Sequence, residues 1–225
     1  MLNIKSLSES FEETLKDGEL QKITAEIIEA AGDTFIESDF IKNIPVLGIF
    51  TGLAKGFLNI RDKLFLKKLL TFLKELQSIP AHQRRKQVEK IENSSDYGIK
   101  VGEKLMYIID RNEDHLKAHV VGKIFGYYLR EVISYRDFLK CTGAIDLLLV
   151  DDLNGFIRLI GNKFSLDDYS IYLTAGLMKL TFEKPKFVDN SRLYGKKIGT
   201  NKELNSGALF LNITPVGELL RGLLK

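Results

Sequence analysis

The stretch from Asn43 to Gln77, NIPVLGIFTGLAKGFLNIRDKLFLKKLLTFLKELQ, decides how the rest of the chain is read. Its first half, Ile44 to Ile60, is almost wholly apolar, with Lys55 its only charge, and carries Gly48, Gly52 and Gly56 at a strict spacing of four. Asn43 suits an N-cap, and Pro45 stands near a first helical turn, where a missing N–H costs little. No proline follows until Pro80, so the pattern allows one continuous helix. In the second half Leu66, Leu69, Leu70, Leu73 and Leu76 recur at steps of three and four, while Lys63, Lys67, Lys68 and Lys74 occupy other faces. That is an amphipathic, basic helix.

The glycines set the first half apart. Each costs about 1 kcal/mol relative to alanine inside a helix, yet all three fall along one side of it. A row without side chains lets another helix backbone approach closely, the pattern common at helix contacts in membranes. Three readings follow. The segment is a buried central helix whose glycines admit a close crossing, a peripheral or conditional membrane element, or a short span. For the last, Lys55 would have to reach an interface or face a pore. In the membrane readings Arg61, Lys63, Lys67 and Lys68 suit anionic headgroups.

The chain has 225 residues, of which 44% are hydrophobic and 28% charged, enough for a real core in one large domain or two small ones. A single cysteine, Cys141, excludes an intrachain disulfide framework and fits a reducing compartment. The first twenty residues are acidic and lack an apolar signal core, so a cytoplasmic protein with peripheral or conditional inner-membrane association is expected. The net charge of +3 hides a gradient. Residues 1–43 hold four basic against ten acidic side chains, whereas residues 155–225 hold eleven against six. An acidic beginning beside a basic helix suggests that one covers the other, as structure or as a reversible latch.

Residues 7–17 and 19–31 read as helices, the second with an apolar stripe from Leu20 to Ala31. Pro80 opens another, whose Arg84, Arg85, Lys86 and Lys90 read as a solvated basic face. Residues 96–110, 113–130 and a segment capped by Ser134 are further helices. In the second of these Gly122 and Gly126 again stand four apart, a spacing suited to a close crossing. Asp151-Asp152-Leu153-Asn154-Gly155 is a loop signal. Beyond it, Ser165 with Asp168 resembles a capping box, Gly176 ends that helix, and residues 177–188 and 208–213 have strand character around a polar loop at 189–207. Thr214-Pro215 caps a final helix. The expected fold is mainly α. It consists of an acidic helical segment at 1–43, a multi-helix bundle at 44–154 around the glycine-spaced helix, and a small winged-helix-like α+β unit at 155–225.

No catalytic constellation is present. His115 and His119 are spaced i, i+4 but lack an HExxH context and further ligands, and read as surface histidines. Asp151 and Asp152 lack the spaced acids of a calcium loop. Gly195-Lys196-Lys197 lacks the Walker spacing, and no GxGxxG or GxSxG occurs. Neither metal nor cofactor is expected, and the chain reads as a non-enzyme. Two function classes stay open. One is self-association, membrane contact or protein contact through Gly48, Gly52 and Gly56. The other is a DNA-binding regulator in which Lys184, Lys186, Arg192, Lys196, Lys197 and Lys202 lie on a wing against phosphates. The helix before that wing, SLDDYSIYLTAG, carries two acids and no base, which suits a protein contact better than a major groove.

The glycine-bearing helix introduced by Ile44-Pro45, the following RDKLFLKKLLTFLKEL and the terminal LFLNITPVGELL resemble the Abi-alpha abortive-infection family in overall plan. In that plan a helical region precedes a strand ending in a Thr-Pro-x-Gly turn and a helix. The resemblance covers residues 44–76 and 205–220 and carries over no catalytic residue. It implies a role in bacterial phage defence or a related stress response, with a membrane-active helix covered at rest and exposed on a trigger.

Overall fold

A computed structural model of the chain describes residues 4–18, 20, 44–53, 59–95, 97, 100–113, 115–184, 186–189, 192–193, 196–197, 202–205 and 208–225, with the strands between 186 and 205 described by their backbone pairing. Among them are ten helices and an antiparallel hairpin near the C-terminus, so the fold is mainly α. The chain divides after Asp146 into two units.

The first unit holds α1 (Ile4–Lys16), α2 (Pro45–Leu53), α3 (Ile60–Lys74), α4 (Ala81–Glu92), α5 (Val101–Arg111), α6 (His115–Leu129) and α7 (Tyr135–Asp146). The leucines of the α3 stripe, Leu66, Leu69, Leu70, Leu73 and the following Leu76, are all buried, as their spacing requires. The α3 helix packs chiefly on α6, and α1 packs on α2, α4 and α5. A run of rings joins these layers: Phe11 to Phe72 at 6.0 Å, Phe72 to Phe125 at 5.7 Å and Phe125 to Phe138 at 5.1 Å between centroids. The α3–α6 crossing is close because Gly122 has no side chain; a Cβ there would stand 2.8 Å from the Phe72 carbonyl oxygen.

Charge also holds α1 in place. Arg84 is only 1% exposed. Its Nε donates to the Leu15 carbonyl at 2.9 Å, and its two terminal nitrogens donate to the carbonyls of Ile79 and Asp17. The guanidinium therefore satisfies carbonyls that the end of α1 leaves without helical donors. The solvated basic face expected of α4 thus excludes Arg84, because α1 lies across it. Lys16 joins Glu12 of its own helix at 2.7 Å to Glu92 of α4 at 3.2 Å. Burial works to raise the Glu12 carboxyl, but hydrogen bonds with Glu92 and Lys16 outweigh it and hold Glu12 low; burial and Glu12 together push Glu92 up.

The second unit begins with α8 (Val150–Arg158), where the sequence suggested a loop. Asp151 and Asp152 instead occupy the first turn, favourable beside the helix dipole, and Leu153 and Phe156 are buried. After α9 (Leu166–Thr174), Gly176 adopts φ of +73°, which ends the helix and turns the chain into β1 (Met178–Phe182). This strand pairs antiparallel with β6 (Leu209–Ile213), and Phe164 bridges to Leu211 on the other side of β6. Thr214 caps α10 (Pro215–Leu224), its Oγ1 accepting from the Gly217 N–H at 3.2 Å. Helix, bridge, helix, strand, wing, strand and helix in that pairing order make the unit winged-helix-like.

The wing is where expectation and structure differ. The described residues of the expected loop at 189–207 are paired strands. The strands β2 (Lys186–Asp189) and β5 (Lys202–Asn205) continue the β1–β6 register without a slip, and Glu183 donates to the Ala208 carbonyl between them at 2.9 Å. Farther out β3 (Arg192–Leu193) pairs with β4 (Lys196–Lys197) in a register shifted by two. Lys186 to Val188 lie within the stretch read as strand; it is Arg192-Leu193, Lys196-Lys197 and Lys202 to Asn205 that carry the pairing into the segment whose Gly-rich composition suggested a loop.

Candidate membrane or self-association surface

The glycine-spaced segment does not continue into α3. Asn59 is extended, with φ of −74° and ψ of 167°, and its Oδ1 accepts from the Asp62 N–H at 2.9 Å. It is the N-cap of a new helix. The sequence held that signal, an asparagine three residues before an acid, but the unbroken apolar rhythm obscured it. Upstream, α2 is a core helix over its described side chains: Val46, Leu47 and Phe50 are buried, as is Ile44 just before it, and the Val46 N–H is held by Thr14 Oγ1 at 3.0 Å. Gly48 is half-buried and Gly52 falls in the last turn of α2, while Lys55 and Gly56 lie outside the described residues, as does Asn43. The expected helix at 19–31 also lies outside them, apart from Leu20, which is buried. No helix among the described residues is long and apolar enough to cross a membrane.

The start of α3 carries the exposed chemistry. Ile60 is 77% and Leu64 59% exposed, and the Arg61 side chain is 87% exposed. Two large apolar side chains one turn apart, with a basic residue between them and Lys67 on the next turn, make a small amphipathic face rather than a core stripe. Lys63 is half-buried. Lys68 is committed elsewhere, since its ammonium donates to the carbonyls of Asp110 at 2.7 Å and Asn112 at 2.8 Å and so caps α5. Beside this face a cavity of about 430 Å³ opens between α1, α3 and α5, with Leu7, Phe65, Met106 and Tyr107 as its apolar lining and Arg61 near Asp110 on its rim.

Groups that carry reactive chemistry elsewhere are structurally tied here. His119 Nδ1 lies 2.9 Å from Glu75 Oε1, a hydrogen bond that raises its pKa against the effect of burial. The Cys141 thiol is buried in α7 and pushed up to about 12, by desolvation first and by Asp137 second. Among the described residues no three His, Cys, Asp or Glu side chains are grouped to hold a metal ion.

On the wing Lys184 is exposed, and Lys186, Arg192, Lys196, Lys197 and Lys202 all fall on paired strands. Lys186 stands opposite Asn205, Lys202 opposite Asp189, and Arg192 directly opposite Lys197. The pairing therefore brings two positive residues together near the tip, which sequence spacing alone did not reveal. Comparison with protein-family models, curated proteins and solved structures finds no match.

Proposed function

We propose that this chain is a non-enzymatic protein of the bacterial phage-defence type, acting by membrane contact or self-association through residues 44–60 and the start of α3. The observation that carries this reading is the exposure of Ile60 and Leu64 beside Arg61, directly after the apolar glycine-spaced segment. The similarity in plan to the Abi-alpha family lends it the biological setting. The strength of the contact follows from the residues. Removing the exposed parts of Ile60 and Leu64 from water is worth about 3 kcal/mol. Arg61 and Lys67 beside an anionic surface add about 1 kcal/mol each. About 5 kcal/mol corresponds to reversible binding comparable to a single myristoyl chain. It does not amount to anchoring.

Co-sedimentation with phosphatidylglycerol-containing vesicles tests the reading. The chain is expected to bind in low salt and to lose most of that binding as Ile60→Ser/Leu64→Ser. A Gly52→Leu variant separates a role of the glycine row from that of the exposed face. Indifference of the chain to these vesicles, together with a monomer at all concentrations, would sink the proposal.

The pairing of Arg192 with Lys197 favours a second reading, a wing that binds nucleic acid. Like charges directly opposite in a ribbon destabilise it, and a phosphate between them would relieve the repulsion. Salt-dependent binding to duplex DNA that disappears on charge reversal at Arg192 and Lys197 is the expected result. Binding that survives that reversal would exclude the wing.

A further inference from the structure

A second cleft of the first unit stands independent of the membrane reading. Between α5 and α7 lies a cleft of about 160 Å³. The helical glycines of this unit that face neighbours have a packing reason: a Cβ on Gly102 or Gly122 would strike a backbone carbonyl at 2.4 or 2.8 Å. Gly143, inside α7, has none. A Cβ there meets nothing within 4 Å among the described residues, since the glycine lines the open cleft. Glycine is among the poorest residues for a helix interior, and here it leaves the wall of the cleft without a side chain.

Two cations and one carboxylate, Asp146, line that cleft. Lys104 has no carboxylate within ion-pair reach among the described residues; its ammonium stands 5.7 Å from the centre of the Tyr107 ring. The Arg111 guanidinium lies 5.5 Å from the same ring, donates to Tyr107 Oη at 3.3 Å and pairs with Asp146. Two of its five N–H donors are thereby used, and no further partner of the guanidinium occurs among the described residues. Asn112, which also lines the cleft, is only 4% exposed, and its Nδ2 has no hydrogen-bond partner among the described residues. A buried amide donor without an acceptor is costly. Ile108 and Leu139 supply apolar walls.

We infer that this cleft binds a small organic monocarboxylate. Its carboxylate is received by Lys104 and the spare donors of Arg111, and its short hydrocarbon body lies against Ile108 and Leu139 over Gly143. One net positive charge remains after Asp146 is counted, which suits a monoanion. Asp146 itself repels a dianion such as phosphate or sulfate. The volume admits an acid of butyrate or benzoate size and excludes a nucleotide.

The test is a titration of the full chain followed by amide NMR, with butyrate, benzoate, phosphate, sulfate and the neutral amide of butyrate as probes. Saturable shifts at Asn112 and Gly143 with the two carboxylates, and none with the neutral amide, are expected. Lys104→Gln should weaken binding about tenfold, the effect of losing one charge-assisted hydrogen bond. Gly143→Leu should abolish binding while circular dichroism reports an intact fold. Should that variant fail to fold, Lys104→Gln and Gly143→Ala carry the test alone, the alanine weakening binding by partly filling the cleft. Absence of saturation in the wild-type chain overturns the assignment. So do equal responses to phosphate and sulfate, or carboxylate binding that is unchanged in the folded variants.

Discussion

Replacing Arg84 with methionine removes the buried side chain that ties the end of α1 to α4. Arg84 donates to the carbonyls of Leu15, Asp17 and Ile79 from a position 1% exposed. Hydrogen bonds from a charged donor contribute about 1.5–3 kcal/mol each, and a buried carbonyl left without one costs about 1–3 kcal/mol. Full additivity would overestimate the loss. The bond to Asp17 is only part-buried, so that carbonyl can turn to water, and methionine keeps the packing of the arginine stem. The expected destabilisation is about 4 kcal/mol, a large share of the ordinary stability of a domain. With a urea m-value of about 3 kcal/mol/M, the unfolding midpoint should fall by about 1.3 M. Hydrogen exchange should localise the change, with α1 amides losing protection first while the α3–α6 pair keeps most of its own. Because α1 packs on α2, the same variant should bind anionic vesicles more strongly if the apolar helix is what contacts them. Arg84→Lys should recover less than half of the loss, since an ammonium cannot reach three carbonyls as a planar fork does. A midpoint shift equivalent to under about 1 kcal/mol in Arg84→Met would refute this account of how α1 is held.

Three further perturbations probe other parts of the first unit. Gly122→Ala should destabilise by about 2 kcal/mol despite the better helix propensity of alanine, because its Cβ would sit 2.8 Å from the Phe72 carbonyl; a neutral effect in thermal unfolding would show that α3 and α6 separate freely. His119 has a folded pKa raised above its usual 6.5 by Glu75, so its contribution is complete below that value and is lost as pH rises through the folded pKa. Since the pair is half exposed, the stability difference between the wild type and His119→Gln should be about 0.5 kcal/mol at pH 5.5 and shrink towards pH 8.5, and a difference that grows with pH would contradict it. Cys141, with its thiol pushed up to about 12 and buried, should react with a thiol reagent at pH 8 only at the rate at which α7 opens, so full labelling within minutes in native buffer would overturn its assignment as core.

The local signals were legible where a short pattern has one physical meaning. The leucine stripe of α3, the turn at Gly176 and the Thr214-Pro215 cap all appear as read, because periodicity, positive φ and an N-cap oxygen act within a few residues. The misreadings came where two local meanings compete. Asp151 to Gly155 carries turn residues, but Leu153 and Phe156 bury one side and make it helical. The 189–207 segment has loop composition, but an uninterrupted register from β1 and β6 extends pairing into it. Asn59 stood inside an apolar run and still broke the helix.

For this protein, sequence by itself determined the helical bundle, the amphipathic face of α3 and the winged plan of the last seventy residues, since each rests on spacing along one chain segment. Tertiary structure alone decided which polar groups are committed and which are available. Arg84 and Arg85 are neighbours in sequence, but Arg84 is buried and held by three carbonyls, whereas Arg85 stays exposed and reaches only the Lys16 carbonyl at 3.5 Å. Gly122 and Gly143 look alike as letters. One is pressed against a backbone carbonyl and the other faces an open cleft, a difference made by the helix across from each.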